Sequence, residues 1–465
     1  MRLTAVALIG LVVVVSGCAR YHPMNQPIAQ YHRDYGYRFS NLAAIGAEDE
    51  TFLILSFSGG GTRAAALAYG VLQHLAKTPI DGGRRSLLDE VDVISSVSGG
   101  SFTAAFFALN GLAALPGFEE RFLRRNVEKE LLKEALLNPY NWWRLLSPTF
   151  SRVDLAAEYY DKHIFDGQTY ADLLKRRRRP YLVVNATEMD LGARFDFTQE
   201  RFDPICSDLQ KLTIGRAVAA SSAFPVLLTP VTLQNYSGTC RYEEPEWVAN
   251  ALGDYAVNQR RYRSAIELRE YVSTARPYLQ LMDGGIADNI GLRAVLHALS
   301  STDGEFSVLR LMNRKKVKRV AVIAVNARTD AEAKLDRTER APGLVEVLKT
   351  VSTAPMQNYS FETVELLRNS IEDWNRDAET LKQCKTMVKG VCPEARLPEG
   401  ELAAVQFYPV EVAFSALTDL AERRYFNEIG TNYSLTPEQV ERLIGLGPRL
   451  LGASPVFRTL VDSLK

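Results

Sequence analysis

The sequence predicts an α/β fold with a mostly parallel central sheet. Two apolar segments, Thr51–Phe57 and Val91–Val97, have the length and the β-branched content of buried strands. Each segment runs into glycines and then into an apolar, Ala-rich helical pattern, the first beginning at Ala64 and the second at Phe102. Further strand patterns recur at 181–186, 278–282 and 317–326. Strands that alternate with helices across short glycine turns are typical of a sheet covered by helices.

The N-terminus has the pattern of an export signal. An uninterrupted run of apolar or small residues, 3–15, is too short to span a bilayer and is typical of a signal-peptide core. The run closes on Val15-Ser-Gly-Cys18, which resembles the lipobox of bacterial lipoproteins. The resemblance implies a signal peptide of residues 1–17, a lipid-modified Cys18 and, with Ala19 next, the outer membrane of the cell envelope. The alternative is an ordinary secretory signal with an incidental cysteine.

The remaining chain divides into three predicted parts. Residues 18–50 lack periodicity and are rich in Tyr, Pro, Asn, Gln and Arg, which favours a tether. Residues 51–330 contain the strand and helix patterns of the α/β domain. Residues 331–465 are mainly helical by pattern and contain no catalytic motif, so we expect a C-terminal appendage that packs on the domain or contacts lipid.

A glycine-rich loop follows the first predicted strand. Ser58 is followed by Gly59, Gly60 and Gly61 and, two positions later, by Arg63. Successive glycines let backbone N–H groups point into one concavity, which is what an oxyanion hole requires. We therefore expect the three glycines to supply the donors and Arg63 to support the loop, with contact to a lipid phosphate as the alternative role of Arg63.

The second predicted strand ends in a serine. Ser98 lies between this strand and a helix, as the nucleophile does in the G-x-S-x-G elbow, although here Ser96 replaces the first glycine. Gly99 and Gly100 allow the strand and the helix to approach closely, and the helix N-terminus favours developing negative charge. The alternative is a plain strand–helix turn.

A third motif is Asp283 followed by Gly284 and Gly285, at the end of the predicted strand over 278–282. The carboxyl ends of strands are where sites form in α/β sheets. A Ser-Asp-His triad of the α/β-hydrolase kind would need a histidine after the aspartate. Only His297 follows it, in the middle of a predicted helix, which favours a dyad.

These motifs, in this order, resemble the patatin-like phospholipase family over roughly residues 50 to 330. Two further blocks, 184–192 and 217–225, are similar to family blocks. The resemblance implies a three-layer α/β/α fold with a mostly parallel central sheet and, in this chain, a helical C-terminal appendage. It also implies a lipid acyl hydrolase of the phospholipase A or lysophospholipase type with a Ser98–Asp283 dyad. The departures from the family pattern are Ser58 for aspartate, Ala64 for glycine and Ser96 for glycine.

Two other functions fit the same residues. The first is a general carboxylesterase or thioesterase that uses the same dyad. The second is a catalytically silent lipoprotein that binds lipid or supports an envelope complex. Ser96 in place of the elbow glycine is the feature that favours this alternative. No metal or organic cofactor is implied, and the sequence identifies no protein partner beyond the membrane and a lipid ester substrate.

Composition and cysteine count narrow the function classes. The 55 basic and 55 acidic residues balance, so there is no global case for nucleic acid binding. Beyond Cys18 the chain has four cysteines, and an even count in an exported protein suggests disulfides. The nearest-neighbour pairing, Cys206–Cys240 and Cys384–Cys392, is one of three, with buried free thiols as the alternative. There is no C-x-x-C pair or Cys/His cluster, so no metal site is expected.

Two surface segments remain open to interpretation. The segment 138–148 contains adjacent Trp142 and Trp143, which suit a membrane interface. It is either a lid or lipid-facing lip over the Ser98 mouth, or a packed surface helix. The basic run Lys175–Arg179 is expected to be a solvated loop, with contact to anionic lipid as the alternative.

Overall fold

The computed structural model describes residues 25–43, 50–225, 227–300, 317–330, 339, 341–394 and 405–465. The predicted signal peptide and Cys18 lie outside the described residues. The strands are β1 (Thr51–Phe57), β2 (Pro79–Ile80), β3 (Arg85–Ser86), β4 (Val91–Val97), β5 (Tyr181–Glu188), β6 (Ala193–Asp196), β7 (Val231–Gln234), β8 (Tyr278–Asp283), β9 (Arg319–Asn326) and β10 (Gln406–Ala413).

The described α-helices are numbered in the same way. They are α1 (Phe39–Ala43), α2 (Gly61–Lys77), α3 (Gly99–Ala114), α4 (Val127–Leu137), α5 (Pro139–Leu145), α6 (Arg152–Tyr160), α7 (Tyr170–Arg176), α8 (Gln199–Phe202), α9 (Ile214–Ser221), α10 (Glu246–Ala251), α11 (Gln259–Val272), α12 (Gly285–Asp288), α13 (Leu292–Ser300), α14 (Leu344–Val391), α15 (Leu420–Glu428), α16 (Pro437–Ala453) and α17 (Pro455–Asp462).

The main sheet confirms the predicted α/β fold. Its strand order is β10-β9-β1-β4-β5-β8-β7, with β6 paired to β5. The five strands from β10 to β5 run parallel, whereas β8 is antiparallel to both β5 and β7. Every residue of β1 and β4 is buried, so helices and loops cover both faces of the sheet. Continuous apolar runs, rather than alternating ones, are therefore what these two strands require.

The C-terminal region is mainly helical, as predicted, and it also completes the sheet. Its strand β10 pairs with β9 over its full length, from Gln406 opposite Arg319 to Ala413 opposite Asn326. Helix α16 packs along α2, which follows the glycine-rich loop. The long helix α14 packs against α12 and α13. The region therefore shares its core with the preceding domain.

None of the helices in the described ranges combines the length and the apolar character that crossing a bilayer requires.

The segment before β1 differs from the expected tether. The sequence predicts a tether over 18–50, whereas residues 25–43 of this segment pack on the domain. The ring of Tyr37 is buried and stacks on Tyr181 with centroids 4.8 Å apart. Arg38 forms a buried ion pair with Asp203. The aromatic residues that suggested a linker by composition are held here because each finds a partner in the domain.

One of the two suggested disulfides is present. Cys206 and Cys240 are bonded beneath the N-terminal segment, where the Ile28 amide donates to the carbonyl of Cys206 at 2.9 Å. The suggested Cys384–Cys392 pairing is wrong, because both residues are exposed free thiols. Cys384 lies within α14 and Cys392 caps it, so the helical rise separates them by about 12 Å. A disulfide needs Cα atoms within roughly 7 Å.

Candidate active site

The elbow serine is held in a strained backbone conformation. Ser98 lies between β4 and α3 with φ 49° and ψ −121°, and it is buried. A non-glycine residue with positive φ costs on the order of 1–3 kcal/mol and persists only where surrounding contacts enforce it. The Ser98 amide donates to Ser221 Oγ at 2.8 Å, and that hydroxyl donates to the Asn185 carbonyl at 2.6 Å. The strain therefore presents the side chain of Ser98 at a fixed position.

The two glycines after Ser98 are required by close packing. A Cβ on Gly99 would overlap the backbone of Gly61 in the glycine-rich loop. A Cβ on Gly100 would lie 2.7 Å from the Ser58 carbonyl oxygen. The elbow and the glycine-rich loop are therefore in direct backbone contact, which leaves no room for a side chain.

Ser96 fits in the sheet without disturbing the elbow. Its side chain is buried, and Oγ donates to the Val183 carbonyl on β5 at 3.3 Å. The Ser96 carbonyl accepts from Asn185 Nδ2 at 3.0 Å. The hydroxyl that replaces the usual glycine is thus absorbed by the neighbouring strand, and Ser98 keeps its left-handed conformation.

The structure brings Ser98 and Asp283 together. Ser98 Oγ donates to Asp283 Oδ2 at 2.9 Å. The other carboxylate oxygen, Oδ1, accepts from the Gly285 amide at 2.8 Å, and Thr187 Oγ1 donates to the Asp283 carbonyl at 2.8 Å. Both oxygens of the carboxylate are therefore oriented, one by a backbone amide and one by the serine.

Asp283 reaches this position by a route that the sequence did not reveal. Because β8 runs antiparallel to β5, it approaches from beyond the carboxyl ends of the parallel strands, and its last residue, Asp283, is the one that reaches that edge. Asp283 pairs with Ala186, whereas Val97 pairs with Asn185. The strand therefore descends from beyond the edge and ends at the level of the elbow.

Burial sets the electrostatics of Asp283. The carboxylate is buried, and loss of hydration raises its pKa from the ordinary value of 3.8 to about 6, against the opposing hydrogen bonds from Gly285 and Ser98. A buried carboxylate whose pKa approaches neutrality is a stronger proton acceptor than an exposed one. The arrangement can take a proton from the serine it contacts.

The glycines of the Asp-Gly-Gly motif are also enforced by contacts. A Cβ on Gly284 would overlap the Asn185 carbonyl, and one on Gly285 would overlap Met356 of α14. The long C-terminal helix therefore packs directly beside the candidate base.

The glycine-rich loop supplies fewer amides than expected. The Gly59 amide donates to the Asn289 carbonyl at 2.9 Å, so the expected donor role of Gly59 is wrong. A Cβ on Gly59 would lie 2.5 Å from Asn289 Oδ1, so this glycine serves close packing instead. Gly60 and Gly61 have positive φ, 138° and 60°, and their amides have no acceptor in the part of the chain that the structure describes.

A third amide belongs with these two. Gly99 begins α3 and contacts Gly61, and its N–H likewise has no acceptor within the described ranges. The first N–H groups of a helix lack intrahelical partners and favour negative charge. From the sequence we expected Gly99 only to let the strand and the helix approach closely. The amide after a nucleophile is, however, a common oxyanion donor.

Arg63 is a buried brace. Its Nε donates to the Ala327 carbonyl at 3.0 Å, Nη1 donates to the Ile429 carbonyl, and Nη2 donates to Thr431 Oγ1 at 3.2 Å. Burial lowers the pKa of Arg63 to about 10. These contacts support the predicted loop role, and they join the loop to the C-terminal region.

Tyr433 is a site residue that the sequence did not reveal. Its hydroxyl donates to the Ser222 carbonyl at 3.3 Å. Burial raises the pKa of Tyr433, as does the nearby Asp283 charge, whereas hydrogen bonds with Ser222 and Ser98 oppose the shift. The preceding residue, Asn432, accepts from the Thr62 amide at 2.9 Å. The only sequence signal is a tyrosine in a polar stretch, which is uninformative without the fold.

Two of the described histidines, His74 and His163, lie in packing positions, and His32 is exposed in the N-terminal segment. The ring of His74 contacts Phe457 at a centroid distance of 5.8 Å, and that of His163 contacts Tyr159 at 4.5 Å. His297 falls within α13, but its side chain lies outside the described part of the structure. Among the described residues, no group of three or more His, Cys, Asp and Glu side chains is arranged to hold a metal ion.

Comparison with known proteins gives a family match and distant structural neighbours. The family model for patatin-like phospholipase matches residues 55–296. No curated protein matches the chain. Human GIVD cytosolic phospholipase A2 shares 13% identity and a TM-score of 0.42, covering 92% of this chain and 63% of that chain. Its complex with methyl gamma-linolenyl fluorophosphonate has the same identity and coverage and a TM-score of 0.39. The chain thus spans less than two thirds of the length of these neighbours.

Proposed function

Because this chain belongs to the patatin-like phospholipase family, we propose that it is a lipid acyl hydrolase of the phospholipase A or lysophospholipase type. Ser98 is the nucleophile and Asp283 the general base. The observation that carries the proposal is the 2.9 Å hydrogen bond from the strained Ser98 to the buried carboxylate of Asp283. Nucleophile and base within hydrogen-bond reach, with the base oriented by a third group, is the signature of an activated serine.

Acylation follows from this geometry. Asp283 Oδ2 accepts the Ser98 proton while Oγ bonds to the ester carbonyl carbon, and the carbonyl oxygen becomes an oxyanion. Collapse of this intermediate breaks the bond to the alcohol, which leaves with the proton from Asp283. Water then attacks the acyl-serine with its proton passing to Asp283, and the acid departs as Ser98 recovers its hydroxyl proton.

The oxyanion is stabilised by the amides that lack protein acceptors. We assign this role to Gly60, Gly61 and Gly99, whose backbones lie against one another where the glycine-rich loop meets α3. Donors held in place before the reaction cost no reorganisation, and each is worth on the order of 10²–10³ in turnover. Arg63 contributes indirectly, because it fixes the loop to the C-terminal region.

The Asp283 pKa defines the acid limb of activity. Only the ionised carboxylate accepts the serine proton, and burial raises the pKa of this group to about 6. Turnover therefore falls as the pH drops below about 6.

A substrate panel tests the proposed substrate class. Purified protein is incubated with phospholipid vesicles, lysophospholipid micelles, short-chain esters and acyl thioesters, and the products are identified by mass spectrometry, with Ser98→Ala as the control. A lipid hydrolase releases fatty acid from the first two faster than it cleaves short soluble esters. The reverse preference identifies the carboxylesterase or thioesterase alternative. No product from any substrate identifies the silent lipoprotein.

We also propose that the protein is anchored to the envelope through a lipid-modified Cys18, with the outer membrane as its location. The motif at residues 15–18 supports this. Six residues separate Cys18 from Asn25, which is bonded to Ser207 and Gln234 of the domain. A chain of that length reaches at most roughly 25 Å. The anchored domain is therefore held close to the lipid surface.

A further inference from the structure

The surface between α4 and α5 carries an unusual concentration of exposed apolar side chains. Seven large side chains within residues 132–146 are exposed, from 52% for Trp142 to 76% for Leu146. We call this surface the apolar ridge; its members are Leu132, Leu136, Leu137, Tyr140, Trp142, Trp143 and Leu146. Large contiguous apolar patches on a protein surface usually mark an interaction site.

The outward face of α4 is the apolar one. Leu132, Leu136 and Leu137 are exposed, and Lys129 and Lys133 are exposed beside them. These five positions have the spacing of neighbours on one face of a helix. A surface helix normally turns its apolar face to the core and its charges to water. Here the leucines point outward and two lysines flank them.

The ridge is rigid. Asn126 caps α4 by accepting from the Lys129 amide at 2.9 Å, and Asn138 caps α5 by accepting from the Tyr140 amide at 3.1 Å. The indole N–H of Trp142 donates to the Leu136 carbonyl at 3.0 Å, which ties the two helices together. The exposed side chains are therefore presented by a capped and bonded hairpin.

The start of the ridge is bonded to a residue of the candidate active site. At its start, the Val127 amide donates to the Tyr433 carbonyl at 3.1 Å, and Glu128 accepts from the Tyr433 amide at 2.9 Å. Beyond its end, Thr229 Oγ1 donates to Ser151 Oγ at 2.6 Å, which joins the residue that caps α6 to the segment before β7. Tyr433 also bonds to Ser222, next to the serine that holds the elbow. The first turn of α4 is thus linked to the elbow through Tyr433 and Ser222.

We propose that the apolar ridge docks on the surface of an anionic lipid bilayer and so presents the Ser98 rim to its substrate, an inference that rests on the proposed lipid hydrolase function. Tryptophan and tyrosine beside leucines are the side chains that settle at a membrane interface. Lys129 and Lys133 are exposed and form no ion pair in the described part of the chain, so they are free to contact anionic headgroups. Two acidic side chains of α4 are engaged elsewhere, because Glu128 accepts from the Tyr433 amide and Glu130 pairs with Arg125. A lipid surface suits the ridge better than an apolar protein partner, because the lysine charges would be buried in such a contact.

The basic run over 175–179 is directed elsewhere. Arg179 pairs with Asp92 near the start of β4 at 2.7 Å, whereas Ser98 follows the end of the same strand. Six strand residues span about 20 Å, so a membrane docked on this run would lie at the edge of the sheet opposite the site. Docking through the ridge would turn the Ser98 edge of the sheet toward the membrane, whereas docking through the basic run would turn the opposite edge toward it.

Tryptophan fluorescence tests docking without using catalysis. Full-length Ser98→Ala protein is mixed with vesicles of brominated phosphatidylcholine and phosphatidylglycerol, whose acyl chains quench nearby indoles. We expect quenching in this parent, loss of most of it when Trp142→Phe and Trp143→Phe are added, and no loss with the control Trp374→Phe. All variants carry the same N-terminus, so any quenching that depends on the proposed lipid anchor is equal in each comparison. Equal quenching in the parent and the double variant, or no quenching in the parent, overturns the proposal.

Hydrolysis then tests what docking contributes. Leu137→Asp with Leu146→Asp changes two side chains that pack on little, and Leu420→Asp, on the similarly exposed α15 position, is the matched control. We expect the ratio of vesicle hydrolysis to soluble-ester hydrolysis to fall on the order of 10²-fold in the ridge variant and to stay constant in the control. An unchanged ratio overturns the inference. If no substrate is hydrolysed, the proposed function is wrong. The quenching experiment still tests whether the ridge docks on the bilayer, because it does not depend on activity.

Discussion

Replacing the candidate base should separate activity from stability. Asp283→Asn keeps the shape of the side chain, and its amide oxygen can still accept from the Gly285 amide, which now bonds to Oδ1 at 2.8 Å. The variant removes a charge that burial disfavours. The shift of the Asp283 pKa from 3.8 to about 6 corresponds to about 3 kcal/mol between the two protonation states. The native protein carries this cost whenever the carboxylate is ionised.

The pH dependence follows from the direction of the shift. Because the folded-state pKa is raised, the folded protein binds more protons than the unfolded chain between pH 3.8 and 6. Rising pH therefore removes stability across this window, and the loss is complete above it. Asp283→Asn escapes the loss, so its stability advantage over the native protein should grow by about 2 kcal/mol between pH 4.5 and pH 8.

Paired measurements of unfolding and turnover check this prediction. Chemical denaturation at the two pH values gives the free energy of unfolding, and lipid ester turnover at pH 8 gives activity, which should fall by a factor of roughly 10⁴. Asp462→Asn, at an exposed surface pair with Lys465, is the control and should show neither effect. The reasoning is refuted if the advantage of Asp283→Asn does not change with pH, or if the variant keeps its turnover.

Three further variants address the rest of the site. Gly60→Val places a β-branched residue at φ 138°, at a cost on the order of 1–3 kcal/mol. Thermal unfolding should show that the variant is folded, and its ester turnover should fall about 10²–10³-fold. Full turnover would contradict the oxyanion role. Tyr433→Phe should lower turnover about tenfold and move the acid limb of the pH profile, since the hydroxyl interacts with Ser98 and Asp283; a change in stability alone would make it structural. Cys18→Ser should release the protein from the membrane fraction or block its processing, and normal cleavage with unchanged retention would refute lipidation.

Local chemistry made much of this site predictable. The strand before Ser98, the glycines after it and the Asp283 motif each depend on residues adjacent in the chain, where steric limits act directly. Gly99 has no room for a side chain beside Gly61, so this turn requires a glycine, and the requirement is visible in the sequence. The order of these local units was sufficient to indicate both the fold class and the two side chains that the structure brings into hydrogen-bond contact.

What could not be predicted depends on contacts between distant segments. The Gly59 amide is consumed by the Asn289 carbonyl, and nothing near Gly59 in the chain signals that bond. Tyr433 reaches the site only because β10 joins the sheet and the following segment folds back over the glycine-rich loop. The direction of β8 likewise emerges from its pairing with β5 rather than from its own residues.

The segments on either side of the domain show the same limit. Composition indicated a linker before β1, yet Tyr37 is buried because Tyr181 and other domain residues surround it. Cysteine count indicated a second disulfide, yet the helix that contains Cys384 holds it apart from Cys392. In both cases the composition alone did not show which distant residue each side chain would contact.

Covalent labelling of Ser98 tests the central claim most directly. A fluorophosphonate probe reacts only with an activated serine, and peptide mass spectrometry identifies the residue that carries it. We predict an adduct on Ser98 in the native protein, none in Ser98→Ala, and a rate lowered by orders of magnitude in folded Asp283→Asn, because Asp283 Oδ2 accepts the hydrogen bond from the Ser98 hydroxyl. No adduct on Ser98 in folded native protein, or a labelling rate independent of Asp283, would contradict the dyad.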